Sequence, residues 1–325
     1  MGLAARHGRD KLTLVLSERL AHLGAWIEQL VAESTGKNGK AIIPVDREPL
    51  GEPSSYGDDR FFVHVRSRES KGGVTESEAE QKIEALAAAG HPIVSIDVSD
   101  VLDLGQEFFR WEIATAVAGA VIGVNPFDQP DVEASKIATR KLTSEYEKTG
   151  RFPEESSFFE ERDVRLFSDD ANASALRSSA RDPSLVGLLG AHLDRLRPGD
   201  YFAVLAYVKR SEEHESILRS LCLDVRDKKG VAACLGFGPR FLHSTGQAYK
   251  GGPKSGVFLQ VTSDDAEDID VPGKDYSFGA VKTAQSLGDF QVLIDRERRA
   301  LRAHVSADVI AGLTEIRNAV AVALA

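Results

Sequence analysis

Cysteine is almost missing: two in 325 residues, Cys222 and Cys234. Their separation fits no metal-ligand spacing, so both read as small buried hydrophobes. Positive charge is also short, with 40 Lys and Arg against 50 Asp and Glu, a net charge of −10. A general nucleic-acid surface is excluded, because neutralising phosphates takes clustered Lys and Arg. No apolar run is long enough to span a bilayer. The longest, Ile113 to Val124, is too short and is flanked by charge. No signal-like segment precedes the first strand, so a cytoplasmic location is expected. No HExxH, P-loop or GxGxxG occurs, and GFGPR (Gly236–Arg240) falls short of a dinucleotide fingerprint. His7, His22, His64, His91, His192, His214 and His304 have no metal spacing. There is no fixed-period repeat and no low-complexity tail. What remains is 42% apolar and 28% charged residues, the composition of a globular protein with a core, at a length for one large or two medium domains.

Strands alternate with helices. Lys11–Leu16 reads as a buried strand, and Ser17 as the cap of a helix. Leu20, Leu23, Ile27, Leu30 and Val31 give that helix one apolar face, and Gly36 ends it. Strands are expected at Ala41–Val45, Phe61–Val65 and Pro92–Val98, with helices over Ser77–Ala89 and Glu107–Ile122. Trp26 and Trp111 lie on apolar helices as packing residues. NPFDQP (Asn125–Pro130) is a turn, and a polar helix follows toward Tyr146. Residues 150–182 read as a charged connection or lid. After Pro183 come a helix to Leu196, a strand at Tyr201–Val208, a helix over Glu212–Val225, and strands at Val231–Leu235 and Val257–Thr262. This order predicts parallel α/β architecture. The expected division is 1–150, a connection or lid over 151–182, and an α/β region over 183–325.

Three segments concentrate groups able to do chemistry. Glu33, in ESTGK (Glu33–Lys37), closes the first helix, with Gln29 four residues earlier on the same face. A glutamate there is either a solvated helix end or a general base. Its charge is unfavourable near a helix C-terminus, by about 0.3–1 kcal/mol. Lys136 lies one turn into the helix after NPFDQP. It is either an ordinary surface lysine or, with Gln129, aimed into a cleft. His243 lies in the glycine-rich stretch Gly236–Pro253, with Arg240, Ser244, Thr245, Gln247 and Lys250. That density of hydrogen-bonding groups suggests a small polar ligand.

Together these segments resemble the glucose-6-phosphate isomerase family. ESTGK is similar to its E-S-x-G-K. VIGVNPFDQPDVEASK (Val121–Lys136) is similar to its apolar run followed by F-D-Q-x-x-V-E-x-x-K, with Asp131 where Gly is usual. FLHSTGQ resembles the L-H-S-x-G-Q of bacterial members. From about Gly8 to His304 the chain looks closer still to the isomerase part of fused transaldolase–phosphoglucose isomerases. The resemblance implies a parallel-sheet sugar-isomerase (SIS-like) subdomain with helices on both faces, plus a second, smaller α/β region. It implies interconversion of glucose 6-phosphate and fructose 6-phosphate through a cis-enediol, without metal or cofactor. By resemblance Glu33 is the proton-moving base, Lys136 and His243 assist ring opening, and Gln29 touches the sugar phosphate. Gln129, Arg240, Ser244, Thr245 and Gln247 are the further candidates for binding it.

Motif order departs from the family, where the histidine segment lies between the glutamate and lysine motifs. Here it follows both. GEPSSYGDD (Gly51–Asp59) begins like the family's G-E-P-G-T-N-G-Q-H but carries Asp59 at the histidine place. The later loop is therefore inferred to supply the histidine, as in a homodimer whose partner subunit contributes it. The family's Ser/Thr-rich phosphate loop, its G-G-R-x-S segment and the transaldolase half have no counterpart. The expectation is half of an enzyme, working in complex with an upstream half; the alternative is a non-catalytic fragment.

Overall fold

A computed structural model describes residues 1–68 and 74–325. In chain order its elements begin with α1 (Gly2–Arg6), β1 (Lys11–Leu16), α2 (Ala21–Thr35), β2 (Ile43–Val45), β3 (Arg60–Ser67), α3 (Val74–Ala88), β4 (Ile93–Val98), α4 (Leu104–Ile122) and α5 (Pro130–Thr149). Then follow β5 (Phe159–Glu161), β6 (Val164–Phe167), α6 (Asp170–Ser179), α7 (Leu185–Leu193), β7 (Tyr201–Tyr207), α8 (Glu212–Lys229) and β8 (Ala232–Phe237). The last are α9 (Thr245–Gly251), β9 (Gly256–Ser263), α10 (Phe278–Asp295), β10 (Arg299–Val305) and α11 (Val309–Leu324). No helix among the described residues is long and apolar enough to cross a membrane.

The chain forms two compact units. The first comprises Met1–Pro130 with two returning segments, Arg226–Cys234 and His243–Lys254; the second comprises Asp131–Val225, Leu235–Leu242 and Ser255–Ala325.

The first unit is built on a parallel sheet in the order β2-β1-β3-β4. Strand alternation sends Phe61, Val63 and Val65 to one face and Phe62 to the other. Leu12 and Leu14 join the first set beneath Leu23, Ile27 and Val31 of α2 and Trp111 of α4. Ile83 and Leu86 of α3 join Phe62 and Tyr56 on the other side. Helices therefore cover both faces, as a parallel sheet requires. Ser17 does not cap α2. A 3-10 turn, Glu18–Leu20, intervenes, and the Ser17 hydroxyl accepts the Ser67 amide at 3.1 Å.

The second unit has a sheet ordered β5-β6-β10-β9-β7-β8. β7, β9 and β10 run parallel, and the β5–β6 hairpin lies antiparallel on β10. Residues expected to be an irregular connection thus supply two strands and a helix. Val164, Leu166 and Leu176 are wholly buried there, in elements too short to show a pattern among so many charges. Both cysteines are buried, in no disulfide among the described residues, and burial pushes the Cys234 thiol up to about 12.

His192 of α7 is buried against β9, its Nε2 3.0 Å from the Phe258 carbonyl. Burial lowers its pKa to about 3. That is below the value of an unfolded histidine, near 6.5, so acid protonates the unfolded chain first. From pH 6.5 down toward pH 3, His192 should cost stability at roughly 1 kcal/mol per pH unit. Urea unfolding of the protein and of His192→Leu at pH 7, 6 and 5 checks this. The protein should lose stability relative to His192→Leu as pH falls; a constant difference refutes a neutral buried imidazole.

Candidate active site

The ESTGK segment ends α2 and turns back at once. Asn38 and Gly39 both have positive φ, 56° and 73°, and Lys37 and Lys40 exchange backbone hydrogen bonds at 2.9 and 3.0 Å. Asn-Gly suits such a turn because both central residues must be left-handed. The turn aims its two lysines at another part of the first unit. Lys40 Nζ donates to the Ile122 carbonyl at 2.6 Å, in the last turn of α4, where the exposed carbonyls favour a cation. Lys37, almost wholly buried, donates to the Asp128 carbonyl and lies 3.0 Å from Asp128 Oδ1.

Asp128 belongs to NPFDQP. α4 ends at Gly123, left-handed at φ 77°, with the Val124 amide reaching the Gly119 carbonyl at 2.9 Å. Asn125 shapes the turn, accepting the Phe127 amide at 3.1 Å and donating to Asp128 Oδ2 at 3.0 Å. The hydrogen bond from Lys37 holds the Asp128 carboxyl below its ordinary range. One buried ammonium therefore fixes the NPFDQP turn beside the C-terminal end of α2.

Between them lies an open cleft of about 350 Å³, lined by Gln29, Glu33 and Ser34 of α2 and by Phe127, Asp128 and Gln129 of the turn, with Trp26 at its wall. Gln29 Nε2 donates toward Glu33 Oε2 at 3.4 Å, the i,i+4 pairing expected from sequence. Trp26 packs as expected, half-buried against the core and edge-on to Phe108 at 4.8 Å. Trp111 alone is fully in the core.

The histidine segment also reaches ESTGK. Glycine-rich as it is, it forms a helix, α9, every residue of which is buried. A Cβ on Gly36 would fall 2.2 Å from Ala248 Cα, so only glycine lets the two segments touch. Gln247 is buried and donates to the Gly36 carbonyl at 2.7 Å, a tie between segments. Ser244 and Thr245 are buried too, and Thr245 Oγ1 has no hydrogen-bond partner among the described residues. His243 and Arg240, the ends of a 3-10 turn, are exposed. Lys136 is on α5 in the second unit, partly exposed, with its ammonium 3.8 Å from Glu133 Oε2.

Gln29, Glu33 and Gln129 thus share one cleft, and the Gly36 contact brings the histidine segment against the ESTGK turn. Lys37, Lys40 and Asp128 were not singled out from sequence; the Asn-Gly pair was the signal for the turn that carries the two lysines.

Curated relatives bear on this arrangement. The chain is 32% identical over 169 residues to a glucose-6-phosphate isomerase of Rubrobacter xylanophilus, a match covering 42% of this chain and 39% of that one. It is 28% identical over 178 residues to a probable glucose-6-phosphate isomerase of Haloarcula marismortui, covering 45% and 39%. The enzyme of Enterococcus faecalis is 29% identical over 164 residues, covering 40% and 36%. The chain carries a glucose-6-phosphate isomerase-like region. It spans about two fifths of the length of the curated relatives it matches. No protein-family model matches it. Among solved structures, a hypothetical protein of Thermus thermophilus aligns with 98% of this chain and 80% of its own, at 13% identity and a TM-score of 0.34, too slight a likeness to assign a fold.

Proposed function

We propose that this chain is the catalytic portion of a glucose-6-phosphate isomerase, converting glucose 6-phosphate to fructose 6-phosphate and back. The observation that carries the reading is the cleft in which Glu33, Gln29 and Gln129 meet beside a turn anchored by Lys37. Glu33, half-buried and open to that cleft, takes the proton from C2 of the open aldose. The resulting cis-enediolate takes a proton at O1 to become the cis-enediol; the carboxyl then returns its proton to C1 as O2 gives up its own, so the proton gained at O1 and the one lost from O2 cancel and the ketose forms without a redox partner. Gln29 and Gln129 offer amides to the sugar hydroxyls. Lys136 and the exposed His243 serve ring opening, the histidine in a partner subunit's site.

The substrate phosphate needs its own cradle of N–H groups or cations. In this reading the part of the relatives' length that the chain does not match supplies it, as in a transaldolase–isomerase polypeptide. Remote binding energy is then spent on orienting the reacting carbons. A coupled assay of fructose 6-phosphate conversion tests this. The folded chain alone should turn over slowly, and adding in trans the N-terminal sugar-isomerase portion that the resemblance implies should raise the rate. Full activity alone would refute the divided site, and inactivity under both conditions would refute the isomerase reading.

A further inference from the structure

The second unit holds a polar seam that the isomerase reading does not use. Strands buried in a parallel sheet are normally filled with Val, Ile and Leu. Here one face of the sheet carries two polar rows in cross-strand register. Nearest the carboxyl ends of the parallel strands stand Arg165, His304, Thr262 and Tyr207. The next row is Phe167, Arg302, Gln260 and Leu205. Gln260 is wholly buried; its Nε2 donates to the Ser286 carbonyl at 3.0 Å, and its Oε1 has no partner among the described residues.

Arg302 is the least expected of these residues. It is 3% exposed, and its guanidinium lies 4.3 Å from the Phe167 ring centroid and 5.5 Å from that of Phe290. Its Nε is buried without a hydrogen-bond partner among the described residues. Its counter-charge is Glu155, at 2.7 Å from Nη2. That carboxylate is 42% exposed and stands on residues 150–158, which form no helix or strand. A buried ion pair is rarely worth more to stability than apolar residues of the same volume. Stability alone therefore gives no reason for an arginine at this depth, held by a glutamate from a surface loop.

The pair lines a pocket of about 230 Å³. Thr262, Thr283 and Ser286 add hydroxyls, His304 an imidazole and Lys282 a second cation, itself paired with Asp265. His304 sits between Thr262 Oγ1 at 3.0 Å and Asp264 Oδ1 at 3.1 Å. The pocket opens where ligands of open α/β sheets bind, beyond the carboxyl ends of the strands.

We propose that this pocket is a second binding site, for a small anion carrying hydroxyl groups, and that Glu155 occupies the place of that anion when the site is empty. The ligand's phosphate or carboxylate displaces Glu155 from Arg302, and its hydroxyls pair with Thr262, Thr283 and Ser286, while His304 holds Thr262 in place. The site lies wholly within the second unit and is independent of the Glu33 cleft.

Calorimetric titration of the full chain with glycerol 3-phosphate, glycerate, inorganic phosphate and, as a neutral control, glycerol tests the proposal. At least one hydroxylated anion should bind and glycerol should not; the first two ligands separate phosphate from carboxylate preference. Glu155→Gln should tighten binding by about threefold or more, since a competing anion is gone. Arg302→Lys, which keeps the charge but loses the fork, should weaken it by about tenfold. Lys282→Ala, at a more accessible position, should weaken it even if Arg302→Lys does not fold. Gln29→Ala, which removes an amide given to the sugar in the first-unit cleft, should leave it unchanged, which separates this site from any sugar phosphate held in the first unit. The proposal is overturned if Glu155→Gln binds none of the anions. It is equally overturned if wild-type affinity is indifferent to Glu155→Gln, or if Lys282→Ala binds as tightly as wild type.

Discussion

Glu33→Gln is expected to reduce isomerase turnover by about 10²–10⁴-fold, the usual contribution of a positioned general base. The amide keeps the size and the hydrogen-bonding reach of the carboxylate but cannot accept the C2 proton. Glu33 is half-buried, and its carboxylate accepts from Gln29 Nε2 at 3.4 Å. The substitution leaves no buried charge unpaired, so unfolding should shift by no more than about 0.5 kcal/mol. KM should change little, because the lost interaction belongs to the transition state. Glu33→Asp keeps a carboxylate but withdraws it by one methylene. A misplacement of about 1 Å can cost about 10²-fold, so the aspartate should retain only a small part of the activity. The measurement is kcat in the reconstituted assay, with urea unfolding as the control. A Glu33→Gln enzyme that turns over at the wild-type rate removes Glu33 as the base.

The first unit was the more legible in sequence. β1 matches the run Lys11–Leu16 residue for residue, and the spacing of Leu23, Ile27 and Val31 marks the face of α2 that packs on it. α9 was hidden because Gly246 and Gly251 lower helix propensity; its burial against α2 overrides that preference. No element was assigned after Thr262. α10 contains Gly279 and Gly288, and β10 sets Arg299, Arg302 and His304 in a strand where apolar residues are expected. Caps were nevertheless readable: Ser277 and Asp308 accept the amides of Ala280 and Ala311 at 3.1 and 3.2 Å. In the site, motif residues could be named from sequence, but not their anchor. Lys37 and Asp128 are 91 residues apart, and no local pattern announces a contact of that range.

Removing the Glu48 carboxylate is expected to destabilise the first unit by about 3–5 kcal/mol, the cost of leaving a buried cation unpaired. Arg60, at the start of β3, is 0% exposed and grips Glu48 with both terminal nitrogens, at 2.8 and 3.1 Å. Its Nη1 also donates to Thr13 Oγ1 at 2.7 Å. Arg226, on the segment that returns to this unit, shares the same carboxylate at 3.4 Å and donates to the Pro49 carbonyl at 2.5 Å. Both guanidinium groups lie against the Tyr56 ring, 5.2 and 5.4 Å from its centroid. Glu48→Ala leaves two cations facing each other with one shared anion gone. Arg226 keeps Asp227 at 2.8 Å, whereas Arg60 keeps the neutral acceptors Thr13 Oγ1 and the Val231 carbonyl, with the charge of Asp59 beside it. Glu48→Gln should cost less, since an acceptor oxygen of the same shape remains. The double change Glu48→Leu, Arg60→Met should recover much of the loss, because removing both charges also removes their desolvation cost. A loss of about 3 kcal/mol is a large part of a typical domain's 5–15 kcal/mol, so it will show as an early urea transition. A Glu48→Ala protein that unfolds at the wild-type midpoint would mean that Arg60 is not held by charge pairing.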